Sequence, residues 1–226
     1  MKLTSFGHSC FSVETAGKHL LFDPFIRPNP LAAGVKVEDI RADFLFISHG
    51  HADHIADAVE IARRTGALVV ANWEVCAWLN AQGVANTHPM NHGGTKTLPF
   101  GRVKMVAAVH SSSFPDGTYA GNPAGFVIES EEGNFYYSGD TALTYDMKLV
   151  GETTALDFAV FCIGDNFTMG PGDAIRAAEW VGTKVVVGVH YDTFPYIVID
   201  SSAATELFRK AGLTLHLPRI GQALSV

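Results

Sequence analysis

The stretch Ser48-His49-Gly50-His51-Ala52-Asp53-His54 sets three imidazoles and a carboxylate within a few positions of one another. In an extended loop, alternate residues project to the same side, so His49 and His51 would face one way together. A turn into a helix would then carry Asp53 and His54 to an adjacent position. One short loop thereby offers two pairs of ligands, which suits two neighbouring cations better than one. Imidazole and carboxylate donors suit Zn, Fe and Mn, and the lack of a nearby thiolate argues against a closed structural zinc site. A merely polar loop leaves that concentration of ligand types without a reason. Each cation needs further ligands, and three candidates stand where apolar strands run into loops: His110, Asp140 and His190.

Those ligands need elements to bring them together. Short strands are expected at Leu3–Phe6, Cys10–Glu14 and Lys18–Phe22, with Ala16-Gly17 as a turn and a break at Asp23-Pro24. The apolar run Asp43–Ser48 reads as a strand feeding the histidine loop, and Ile55–Arg64 repeats apolar residues at helical spacing up to Gly66. A buried strand at Ala67–Ala71 and a helix at Trp73–Asn80 follow. From Thr95 the period is two: Lys96–Pro99, Val103–Val109, Gly125–Glu129 and Asn134–Tyr137 predict an antiparallel series, with Glu132-Gly133 as a hairpin turn. Helices near Leu143–Val150, Gly172–Val181 and Ser201–Ala211 then alternate with strands at Phe158–Ile163 and Lys184–Val189. Strand–helix units at both ends of a strand meander predict an α/β layered sandwich.

The ordered ligand set resembles the metallo-β-lactamase superfamily, and the resemblance covers essentially the whole chain. Gly7-His8-Ser9-Cys10-Phe11, Phe22-Asp23-Pro24, Ser138-Gly139-Asp140-Thr141 and Phe167-Thr168-Met169-Gly170-Pro171 extend it, toward the branch of metal-dependent hydrolases similar to L-ascorbate-6-phosphate lactonase. The resemblance implies a four-layer αββα sandwich with residues 1–226 as a single domain. It further implies two divalent cations, zinc first and iron or manganese next. His49, His51 and His110 would hold the first, Asp53, His54 and His190 the second, and Asp140 would bridge. The implied catalytic residues are Asp53, His8 and Asp140, with His8 touching the substrate or a metal-bound water. Two cations roughly 3.5–4 Å apart would share a hydroxide poised to attack an ester-like bond: a lactone, amide or phosphoester. The charges of two divalent cations, two aspartates and a hydroxide leave the centre positive, which suits a small anionic substrate.

Other residues carry weaker signals. Asp23 could orient a ligand histidine through its ring N–H or simply begin the turn at Pro24. Asn166 could contact substrate, although a turn-former is the plainer role. His8 could also be a packed histidine between strands. His19, His88, His92 and His216 lack matching partners and read as structural or exposed. Cys10, Cys76 and Cys162 are an odd set without C-x-x-C spacing, which points to a reducing cytoplasm. Cys10 and Cys162 lie in apolar strands as small core residues. No G-x-S-x-G elbow supports a serine hydrolase. A Cys10 nucleophile beside His8 would leave the metal motif unexplained.

The net charge of −7 on 226 residues, with 16 scattered Lys and Arg, argues against a nucleic-acid partner bound on a broad basic face. A phosphodiesterase or nuclease on the same centre, or a non-catalytic metal sensor, are the competing functions. No apolar run reaches the ~20 residues of a membrane helix, so no membrane partner is expected. Oligomeric state is left open, a homo-oligomer being compatible with the chain. The loops Phe25–Val37 and Ser111–Pro123 are expected to flank the pocket and set the substrate.

Overall fold

The computed structural model describes residues 1–226. Fourteen strands run in chain order: β1 (Lys2–Gly7), β2 (Cys10–Thr15), β3 (Lys18–Phe22), β4 (Phe44–Phe46), β5 (Leu68–Asn72), β6 (Thr87–Met90) and β7 (Thr95–Leu98), then β8 (Gly101–Ala107), β9 (Ala124–Ser130), β10 (Gly133–Tyr137), β11 (Phe158–Cys162), β12 (Val185–Val189), β13 (Thr214–His216) and β14 (Ala223–Ser225). The helices are α1 (Ala52–Ile55), α2 (Ala58–Thr65), α3 (Trp73–Ala81), α4 (Met147–Thr153), α5 (Pro171–Val181) and α6 (Ser201–Lys210). The strands form two seven-stranded sheets, ordered β14-β1-β2-β3-β4-β5-β6 and β13-β12-β11-β10-β9-β8-β7.

Period-two alternation explains the layering. In β3, Leu20 and Phe22 face the second sheet while Leu21 faces helices; in β11, Val160 faces the first sheet while Ala159 and Phe161 face helices. The inter-sheet layer is aromatic: Phe22 stacks on Phe11 at 4.6 Å and on Phe46 at 4.8 Å, and meets Phe135 and Tyr137 of the other sheet edge-on. Helices α2 and α3 cover one outer face and α4 to α6 the other, giving four layers in the order α, β, β, α.

The expected helix over 55–64 is divided into α1 and α2. Asp57 causes the break: its carboxylate accepts from Ile26 N at 2.7 Å and Arg27 N at 3.0 Å, and its own N–H donates to Pro24 O at 3.0 Å. The helical register yields there to an anchor for the loop after β3. Strand β8 ends at Ala107 rather than Val109, because the Val109 N–H donates to Thr141 Oγ1 at 2.9 Å instead of to the sheet. Strand β6 has no period-two signature and carries Pro89, tolerated at a sheet edge where no ladder donor is needed.

Strands β3 to β6 run parallel, as do β10 to β13, so their C-terminal ends gather at one edge of the sandwich. Two backbone bonds tie the sheets there, His190 N to His8 O at 3.0 Å and Ala124 N to Ser48 O at 2.9 Å. That edge carries the ligand-type residues.

Candidate metal centre

Asp23 follows β3, the 48–54 segment follows β4, His110 lies beyond β8, Asp140 follows β10, His190 follows β12, and His8 sits in the tight turn between β1 and β2. Gly50 has a steric reason to be glycine. A Cβ there would lie 2.3 Å from the Ala120 Cβ and 3.3 Å from the Phe114 ring. The loop of 111–123 therefore packs directly on the histidine loop, and Ser112 Oγ accepts from Gly50 N at 3.2 Å. His8, Asp23 and His190 all adopt positive φ, at 54°, 40° and 58°. Non-glycine residues in that region hold local strain, which clusters at functional sites.

Three groups of ligand atoms converge: His49, His51 and His110; His8, Asp53, His54 and His190; and Asp23, His49 and His54, with the ligand atoms within each group no more than 4.8 Å apart. His49 Nε2 lies 2.9 Å from His51 Nδ1. Asp140 Oδ2 reaches the first two groups, at 2.8 Å from His190 Nε2, 3.3 Å from His54 Nε2 and 3.7 Å from His110 Nε2. Metal ions fit this donor set on a structural ground. His54 Nε2 and Asp140 Oδ1 are buried yet make no hydrogen bond, an arrangement proteins avoid unless an ion satisfies such atoms.

Behind the ligands lies a second layer of contacts. Asp23 Oδ2 accepts from His54 Nδ1 at 2.8 Å, Ser48 Oγ at 2.6 Å and Tyr137 Oη at 2.6 Å, while Oδ1 accepts from Ser48 N at 2.7 Å. This carboxylate is fully buried and its acceptor capacity is used, so it orients His54 and offers nothing to a cation. His8 is enclosed by Phe25 and Phe194, each 5.3 Å from its ring, and by His190 at 4.1 Å.

Burial and charge set the protonation of these groups. Burial lowers His8 to about 4, outweighing the pull of the Asp53 carboxylate, and it lowers His49, His51 and His110 as well. These rings are therefore neutral near pH 7, as metal ligation requires. His54 goes the other way: burial opposes its charge, but Asp140, Asp23 and Asp53 together hold it well above the usual histidine range. Asp53 and Asp140 stay far below the usual carboxylate range because the histidines around them overcome burial.

The remaining sequence candidates fall elsewhere. Asn166 is exposed in a turn at φ 54° that also holds Asp165 at φ 61°. His19, His88, His92 and His216 are half-buried and belong to none of the ligand groups. Cys10 and Cys162 are buried in the core with thiols pushed up by burial, Cys162 to about 11, which removes them as nucleophiles. Tyr137 and Thr193 carry contacts to the site that sequence reasoning missed. A tyrosine ending an apolar strand must find a partner for its hydroxyl, and that was the available signal for Tyr137.

Along its whole length the chain is similar to known metal-dependent hydrolases. The profile of the beta-lactamase superfamily domain matches residues 18–191. A UPF0173 metal-dependent hydrolase of Flavobacterium johnsoniae is 47% identical over 226 residues, covering 100% of both chains. Another from Methylacidiphilum infernorum is 46% identical over 224 residues, covering 99% of each. Among solved structures, a metallo hydrolase from the archaeon Ignicoccus hospitalis superposes with a TM-score of 0.89 at 34% identity, covering 99% of this chain and 97% of that one.

Proposed function

The chain belongs to the beta-lactamase superfamily, among its metal-dependent hydrolases, and from that premise we propose that it cleaves an ester-like bond of a small anionic substrate at a dinuclear centre. His49, His51 and His110 would hold one cation, Asp53, His54 and His190 the other, and Asp140 would be shared. When bound, the cations supply Lewis-acid chemistry, lowering the pKa of a water nucleophile and polarising the scissile carbonyl or phosphoryl group. The observation that carries this reading is the single Asp140 oxygen lying 3.7 Å from His110 and 2.8 Å from His190, members of separate ligand groups.

The protein's own residues prepare the centre. Asp23 fixes the His54 ring so that Nε2 faces inward, and Ser48 Oγ, 2.9 Å from His49 Nδ1, does the same for His49. Phe25 and Phe194 keep bulk water from the His8 side. Asp53 and Asp140 are held ionised in the metal-free protein, so no proton has to leave them before a cation binds. Zinc is the first choice of metal, with iron and manganese next, on the nitrogen and oxygen donor set. A small substrate is favoured over nucleic acid because Asp53 and Asp140 pair with histidines and with no Lys or Arg that could track a phosphate backbone.

Metal analysis of the purified protein, with assays on lactones, esters, amides and phosphodiesters, tests the proposal. Two cations per chain and hydrolysis of one class are expected. Asp140→Ala should lower metal content and reduce kcat/KM by at least about 100-fold, the scale of losing a charge-stabilising group in a site. A protein without stoichiometric metal, or an Asp140→Ala variant with unchanged rate, would refute it.

A further inference from the structure

We infer that His8 is itself a ligand of the second cation, making the set there His8, Asp53, His54 and His190 with the shared Asp140; this rests on the dinuclear reading above. His8 Nδ1 lies 3.0 Å from Thr193 Oγ1, and Thr193 Oγ1 also lies 3.3 Å from Tyr191 O. A carbonyl oxygen only accepts, so with the single hydroxyl proton of Thr193 directed to Tyr191, Oγ1 is free to accept from Nδ1–H of His8. In that tautomer, the one a metal ligand needs, the neutral ring carries its proton on Nδ1 and a bare lone pair on Nε2.

That lone pair points at a carboxylate. His8 Nε2 lies 3.1 Å from Asp53 Oδ2, so in this tautomer two acceptors face each other at hydrogen-bond distance. Such a pair repels unless a cation lies between. A metal ion meets that need and satisfies the neighbouring atoms too.

The spacing of the donors agrees. Five ligands at roughly 2.1 Å from a cation lie about 3.0–4.2 Å from one another. From Asp53 Oδ2 the distances are 3.1 Å to His8, 3.8 Å to His190 and 3.9 Å to His54, all within that range. His8 lies nearer that carboxylate oxygen than the other two histidines do. Its backbone is also shaped to deliver the ring: φ is 54° in the two-residue turn between β1 and β2, and its carbonyl is pinned by His190 N at 3.0 Å. This assigns the ring to the cation rather than to a substrate or its water.

The direct test is anomalous diffraction from crystals of the wild-type protein loaded with zinc. The expected result is a second zinc with His8 Nε2 at about 2.0–2.2 Å. A second zinc more than 3 Å from Nε2, with that nitrogen hydrogen-bonded to Asp53, would overturn the inference while leaving the dinuclear reading intact. One zinc only, in the His49, His51 and His110 group, would sink the dinuclear reading and this inference with it. In solution, cobalt titration of apo protein should give two binding events. In His8→Gln the second should weaken by at least about 100-fold, with a changed visible absorption band for that ion and an unchanged band for the first. Outer-shell losses alone run to 10–100-fold, so the band decides: an unaltered second-site spectrum in His8→Gln overturns the inference.

Discussion

At the scale of single residues, Asp23 shows how much of a metal site lies behind its ligands. Four donors from three elements end on one buried carboxylate: the Ser48 backbone and hydroxyl, the Tyr137 hydroxyl and the His54 ring. Burial and the adjacent Asp23 hold the Tyr137 phenol well above its ordinary range, so it remains a donor. Asp23→Asn keeps the shape but turns an acceptor into a donor aimed at donors. It should weaken the second cation's binding by roughly 10–100-fold, read by competition with a chromophoric chelator. Tyr137→Phe removes one donor of four and should cost about 1–2 kcal/mol of stability with metal content preserved, checked by denaturant titration. His54 supplies a pH signature. Its pKa in the metal-free protein is raised, so it carries a proton at pH 7 that a cation must displace. Calorimetry in buffers of differing ionisation enthalpy should show a proton released on filling the second site. Affinity there should rise with pH until His54 is neutral.

At the scale of elements, close packing of loops on strand ends sets the ligand geometry. Gly50→Ala would drive a methyl to 2.3 Å from Ala120 Cβ, displacing the 111–123 loop or the histidine loop itself. Metal content should fall and the protein should lose activity, as metal analysis and rate assays would report. Gly172→Ala is the control. A Cβ there meets nothing within 4 Å, and the position lies in the first turn of α5, so the change should stabilise by about 0.4–1 kcal/mol with metal binding unchanged. The division of α1 from α2 belongs to this scale too. The apolar spacing of Ile55, Val59 and Ala62 was legible, but the bonds from Asp57 back to Ile26 and Arg27 were not, because they join positions 30 or more apart in the chain.

At the scale of the whole molecule, the candidate centre joins the two sheets. His49, His51, Asp53 and His54 come from the first, and His110, Asp140 and His190 from the second. Cations bound there would staple the sandwich at one edge, away from its aromatic middle. Chelation should therefore lower the melting temperature without unfolding the chain. The loss should be about 2.7 kcal/mol for each site filled at 100 times its Kd, measured by calorimetry with and without chelator. No helix is long and apolar enough to cross a membrane.

By itself the sequence determined the local facts: strand and helix periods, the ligand types, and the compact 49–54 loop, because neighbours along the chain are neighbours in space whatever the fold. The period of two from Thr95 also foretold an antiparallel series of strands. Only the tertiary structure decided which distant atoms meet. Asp23 and Tyr137 are 114 positions apart, and His8 and Thr193 are 185 apart. Each such contact follows from sheet order and from which strand ends share an edge. Those are set by burying the aromatic layer between the sheets, an energy spread over many residues rather than written at any one of them.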